Sequence, residues 1–158
     1  LQEQLAFIGS IIRLTGSVIT HQGSGDVMKG SCACGATGYE IDRLDSPILH
    51  CHCTTCRKTH AAAYASTAGV QRAHFRWRHG QAVLRAFESS PGKLRHFCGQ
   101  CGSHLVAERV GVDLLIVRVA TLDDAPTATP DSHIWTEHDV PWLEDQGLPR
   151  YRQWQPGR

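Results

Sequence analysis

The sequence predicts a mainly β fold organised around bound metal. Two observations carry this expectation. From Met28 onward, short alternating or small-residue segments are separated by turn residues, and only the stretch after Cys53 reads as a helical turn. The chain also has seven cysteines, and they fall into three clusters. A length of 158 residues fits one domain with one core.

The elements follow in chain order. Residues 1–27 contain no cysteine, and Met28 is the only methionine. They read as an N-terminal extension, or as sequence upstream of the true start, ahead of a zinc-binding domain over 28–158. Leu1, Leu5, Ile8 and Ile12 share one helical face, which predicts a short amphipathic helix packed on its own domain or on a neighbouring chain, as in a homodimer. Gly23-Ser24-Gly25 is a loop. Strands are expected over 39–41, 48–51, 62–67, 75–78, 82–87, 94–97, 104–110, 114–120 and 133–136. His79-Gly80 and the cluster Ser89-Ser90-Pro91-Gly92 supply turns between them. The tail, with Pro141, Trp142, Pro149, Tyr151 and Trp154, is expected to wrap the sheet, and Trp135, Trp142 and Trp154 to cap the core, or one of them to line the site entrance.

Composition narrows the function classes. Hydrophobic residues are 41% and charged residues 20%, an ordinary globular mixture. Sixteen basic against fifteen acidic residues give +1, which offers no general attraction to nucleic acid or to an anionic membrane. The run Arg72 to His79 mixes bases with aromatics, but in so neutral a chain it reads as a strand with a solvated basic face. The longest apolar stretch, Leu5 to Ile19, is broken by Gly9, Ser10, Arg13 and Gly16. It fits neither a membrane span nor a secretory leader, so the cytoplasm is the expected compartment.

An odd cysteine count without an export signal argues against a disulfide framework and for metal ligation. The clusters are Cys32-Ala33-Cys34-Gly35, Cys51-His52-Cys53-Thr54-Thr55-Cys56, and Cys98-Gly99-Gln100-Cys101-Gly102. In C-x-C on extended backbone both thiols point to one side, and in C-x-x-C a turn brings the sulfurs together. Zn²⁺ takes four such ligands in a tetrahedron. Seven cysteines divide most simply into four plus three. Cys32, Cys34, Cys98 and Cys101 would form a closed structural zinc knuckle. Cys51, Cys53 and Cys56 would form a site with its fourth position open, which is the mark of catalytic zinc. Spacing alone also allows a zinc ribbon of Cys53, Cys56, Cys98 and Cys101, or a histidine (His50, His52, His60 or His104) completing the smaller set. Arg57 and Lys58 follow Cys56 and would offset the charge of the site or receive a substrate carboxylate; they read equally well as solvated surface charges. His50 and His52 flank Cys51 and read as packed or surface histidines before a proton relay.

Three ordered segments resemble a known family: Gly30-Ser-Cys-x-Cys-Gly followed by Tyr39, then His50-Cys-His-Cys-x-x-Cys-Arg-Lys58, then Phe97-Cys-x-x-Cys-Gly-Ser-x-Leu105. Together with His133-Ile134-Trp135 and Pro141-Trp142 they resemble the glutathione-dependent formaldehyde-activating enzymes, which include the centromere-protein-V-like proteins. The resemblance spans about residues 28–154. It implies a tent-like fold of packed antiparallel sheets and the four-plus-three division. Cys32, Cys34, Cys98 and Cys101 match structural ligands, and Cys51, Cys53 and Cys56 match catalytic ones. It further implies two Zn²⁺ per chain, one structural and one catalytic and labile. The implied activity is a carbon–sulfur lyase type, joining a small thiol such as glutathione to an aldehyde. Two competing classes stay open at this point, a zinc-stabilised binding module without catalysis and a thiol-redox or metal-handling protein.

Overall fold

A computed structural model describes residues 27–143. The expected helix in residues 1–27, with any dimer contact it makes, and the tail residues Pro149, Tyr151 and Trp154 therefore lie outside the described residues. The elements are β1 (Met28–Ser31), β2 (Gly38–Ile41), β3 (Ile48–Cys51), α1 (Thr54–His60), β4 (Ala65–Gln71), β5 (Phe75–His79), β6 (Leu84–Ser90), β7 (Lys93–Cys98), β8 (His104–Arg109), β9 (Leu114–Arg118) and β10 (Pro130–Ile134). The expected mainly β architecture is present, with one short helix directly after Cys53.

The strands form two sheets. A three-stranded sheet runs β1-β2-β5, and a seven-stranded sheet runs β10-β3-β4-β9-β8-β7-β6. All pairings are antiparallel except one, since β10 runs parallel to β3. Boundaries differ from the sequence expectation where tertiary pairing overrides local pattern. β4 starts at Ala65 rather than 62, because α1 ends at Ala61 in a left-handed conformation (φ 48°) and the chain must first turn back. β6 runs through Ser90, because pairing with β7 continues until Pro91-Gly92. The last strand begins earlier than expected, at Pro130, alongside Ile48.

The register gives the seven-stranded sheet two unlike faces. Residues opposite one another in a ladder point the same way, and neighbours along a strand point opposite ways. One face carries Ala68, Val70, Val106, Leu115 and Val117 and packs with Tyr39, Ile41 and Cys98 into the main core. Phe75 and Trp77 of β5 pack on this core, and Tyr39 stacks on Phe75 at 5.3 Å. The other face carries Cys51, Ala65, Arg118 and Arg95, and Cys56 joins it in a second, smaller buried cluster with Cys53 and Ile134.

The basic strand behaves as expected. On β5, Phe75 and Trp77 face the core, while Arg76 and Arg78 turn outward to pair with Glu40 and Asp42. The aromatic caps do not. Trp135 and Trp142 are 55% and 68% exposed, so neither covers the core. The main core is instead packed by Phe75 and Trp77 of the three-stranded sheet.

Gly30 shows how tightly the two edges meet. A Cβ at this position would lie 2.2 Å from Cζ of Tyr39, whose hydroxyl hydrogen-bonds Thr121 Oγ1 at 2.8 Å. Gly30→Ala should therefore destabilise the protein by about 1–3 kcal/mol through overpacking, measured by chemical denaturation.

Candidate metal centres

The first group closes from four separate backbone positions. Cys32 follows β1 and Cys98 ends β7, while Cys34 and Cys101 lie in the turns that follow each. Both turns are knuckles: Gly35 N–H donates to Cys32 O and Gly102 N–H to Cys98 O, each at 2.9 Å. Gly35 (φ 73°) and Gly102 (φ 78°) adopt the left-handed backbone that these turns require. The four sulfurs lie within 4.8 Å of one another, with Cys32–Cys34 at 3.5 Å and Cys34–Cys98 at 3.9 Å. A Zn–S bond of ~2.3 Å in a tetrahedron requires sulfurs about 3.8 Å apart. Thr37 N–H donates to Cys32 Sγ at 3.3 Å.

The second group is Cys51, Cys53 and Cys56, again within 4.8 Å. Cys51 ends β3. Cys53 caps α1, its sulfur accepting from Cys56 N–H at 3.4 Å, and Cys56 lies in the first turn of the helix. The helix thus exists where the third cysteine must fold back on the first two. Among the described residues no fourth sulfur, histidine or carboxylate joins this group.

Both groups have the electrostatics of a cation site. Hydrogen bonds from the Ser103 hydroxyl and amide hold the Cys101 thiol down at about 5. Cys56 is likewise lowered to about 5, first by its hydrogen bond with Cys51 and then, against burial, by the charges of Arg118 and Arg95. Its partner Cys51 is pushed up by that same hydrogen bond and by burial. Packed thiols cannot all ionise beside one another, and a divalent cation removes that conflict. All-sulfur sets of this spacing suit Zn²⁺, which both groups fit.

The structure thus brings the seven cysteines together as four and three, and the ribbon of Cys53, Cys56, Cys98 and Cys101 does not form. None of the four candidate histidines joins the smaller set. His52 faces away from the sulfurs: its Nε2 lies 2.7 Å from His133 Nδ1 and its Nδ1 sits against the Asp139 carboxylate. His50 shares that side, 3.0 Å from Ser66 Oγ. Arg57 and Lys58 sit on α1, where they line a shallow cleft of about 210 Å³ with Ala61, Ala62 and Trp142. Arg57 donates through Nε to the His52 carbonyl at 3.1 Å, and Lys58 is exposed. The sequence reading missed Arg95 and Arg118, both buried against the three-cysteine group. Each lies on a strand, but local alternation does not place either of them inside. A cavity of about 640 Å³ between Met28, Leu44 and Pro126 is lined by none of the seven cysteines.

The two groups should respond differently to loss of a ligand. Cys98 is fully buried in the main core and ties β1 to β7, whereas Cys53 is half-buried at the rim of the smaller cluster. Cys98→Ala should lower stability by more than about 3 kcal/mol or prevent folding. Cys53→Ala should remain folded by circular dichroism but retain one zinc per chain instead of two.

The comparisons with known proteins agree with this geometry. The sequence profile of the family described as glutathione-dependent formaldehyde-activating enzyme matches residues 27–138, which include all seven cysteines. No curated protein matches the chain in sequence. Among solved structures, the crystal structure of a Rhodobacter sphaeroides protein is similar at 26% identity and a TM-score of 0.55, covering 63% of this chain and 92% of that one. With the profile spanning most of the chain and the cysteine groups in place, the chain belongs to the glutathione-dependent formaldehyde-activating enzyme family.

Proposed function

We propose that the protein is a zinc-dependent carbon–sulfur lyase-type enzyme that forms and breaks adducts between a glutathione-like thiol and an aldehyde. The observation that carries this reading is the contrast between the two cysteine groups. Four sulfurs gather on one face of the sheet, enough to fill a tetrahedral site, and only three gather on the other. Zinc held by Cys32, Cys34, Cys98 and Cys101 is structural. Zinc held by Cys51, Cys53 and Cys56 would lower the pKa of an incoming thiol and hold its sulfur for attack on a carbonyl carbon. With one ligand fewer, this second ion is the more readily lost.

The chain's own residues set up the rest. Cys51 and Cys56 are buried and Cys53 is at the rim, so the open direction is on the Cys53 side. The cleft beside Arg57 and Lys58 lies on the same helix and offers cationic groups for the carboxylates of a tripeptide thiol. Lys58 makes no ion pair among the described residues, which leaves it available. The cytoplasm, where glutathione is abundant and thiols stay reduced, is the matching compartment.

Exchange spectroscopy on ¹³C-formaldehyde and glutathione tests this. The zinc-loaded protein should accelerate exchange between free aldehyde and S-hydroxymethylglutathione, and Cys53→Ala should cut that acceleration by about 100-fold or more. No acceleration by protein carrying both zincs would refute the assignment. In the same assay Lys58→Ala should raise KM for glutathione about three- to tenfold with kcat unchanged, since it would remove binding that the ground state and the transition state share equally.

A further inference from the structure

The face that carries Cys51, Cys53 and Cys56 also carries two buried guanidiniums. Arg95 and Arg118 are 8% and 4% exposed, and among the described residues neither has a carboxylate partner. Arg95 donates through Nε to Ser89 Oγ at 2.8 Å and directs Nη1 at Cys56 Sγ, 4.0 Å away. Arg118 feels the charges of Cys56, Cys51 and Cys53 together with that of Arg95, yet among the described residues its buried Nε has no hydrogen-bond partner.

Two imidazoles stand beside them. His60 ends α1, and His104 is turned to this face by a bulge in the β7–β8 ladder, where Phe97 pairs with His104 but His96 pairs with Val106. Their rings lie 5.1 Å apart, and among the described residues neither His60 Nε2 nor His104 Nδ1, both buried, has a partner. Burial, with Arg118 and His104 nearby, holds His60 down at about 4, so near neutral pH its ring is uncharged and still carries one N–H.

Three unpartnered buried nitrogens in one cluster are rare in folded proteins, because each loses its hydration without replacement. The charge count points the same way. Three thiolates with one divalent cation leave a single negative charge, and two guanidiniums outweigh it. The buried face is then short of one anion. A thiolate at the metal would supply that charge, and once it adds to an aldehyde the charge moves on to oxygen.

We propose that Arg95, Arg118, His60 and His104 form an oxyanion subsite that receives the negatively charged oxygen produced when a thiol sulfur adds to an aldehyde. This rests on the thiol–aldehyde reading above. The step balances simply. The thiol gives up its proton to solvent, a sulfur electron pair forms the C–S bond, and the C=O π pair moves on to oxygen. Solvent then returns a proton to that oxygen. Donors fixed in place around the oxygen act on the charge as it develops, without reorganising. The cluster is separate from Arg57 and Lys58, which face the outer side of the helix.

The test is a binding measurement on full-length protein loaded with cobalt(II), followed by the sulfur-to-cobalt charge-transfer band, with no turnover. Three thiols are titrated: ethanethiol, mercaptoacetate and 3-mercaptopropanoate. Mercaptoacetate places an anionic oxygen close to the sulfur and should bind about tenfold or more tightly than ethanethiol. 3-Mercaptopropanoate carries the same charge one carbon farther away and should lose most of that preference, which a diffuse positive field would not reproduce. Arg118→Met and, on a less buried side chain, His60→Ala should each bring mercaptoacetate to within about threefold of ethanethiol, leaving ethanethiol itself little changed. If ethanethiol binds but the three thiols are equal, or if the preference survives in both variants, the oxyanion subsite is wrong and the open metal position stands. If no thiol alters the spectrum, the thiol–aldehyde reading fails, and the subsite with it.

Discussion

The alternation of side chains along the strands of the seven-stranded sheet is the constraint on which the rest depends. On β7, Cys98 points into the main core while Arg95, three residues earlier, points to the other face. On β9, Val117 is core and Arg118 is not. On β3, Ile48 faces the core and Cys51 faces away. One sheet therefore separates the two cysteine groups that could hold a metal, and a one-residue slip in β3 or β7 would move a cysteine to the wrong side, as a slip in β9 would move Arg118. The closed group joins the two sheets, and the incomplete group lies on the face covered by the short helix.

This placement explains why charge is treated so differently on the two sides. Around the four-cysteine group the neighbours are backbone amides and the Ser103 hydroxyl, which suit a fixed, charge-compensated cluster. Around the three-cysteine group they are whole positive charges, Arg95 and Arg118. Burying two guanidiniums is costly unless an anion faces them. A structure that retains both beside three sulfurs is suited to receive further negative charge there. His52, between two of those sulfurs in sequence, is turned to the opposite side, where His133 and Asp139 fix it and so help to hold the loop between Cys51 and Cys53.

Much of the fold and of the cysteine division was legible because it depends on local chemistry. The spacings C-x-C and C-x-x-C, the glycines after Cys34 and Cys101, and the turn at Pro91-Gly92 each encode a short-range geometry. What was not legible depends on pairing between distant segments. The parallel pairing of β10 with β3, the late start of β4 and the bulge that turns His104 toward His60 are set by tertiary contacts. Arg95 and Arg118 were passed over because an arginine is ordinarily read as a surface residue, and only the register of β7 and β9 places these two inside. Trp135 and Trp142 were misjudged for the converse reason, since large aromatic side chains are ordinarily read as core and here stay outside.

The central claim is that one zinc is saturated by protein sulfur and the other is not. X-ray absorption at the zinc edge measures this directly on protein carrying two zincs per chain. The account predicts an average of about 3.5 sulfurs per zinc, with the remaining half-ligand a light oxygen or nitrogen scatterer, rising to about 4 sulfurs when glutathione is added. Four sulfurs per zinc before any thiol is added, or a value that does not move with glutathione, would contradict it.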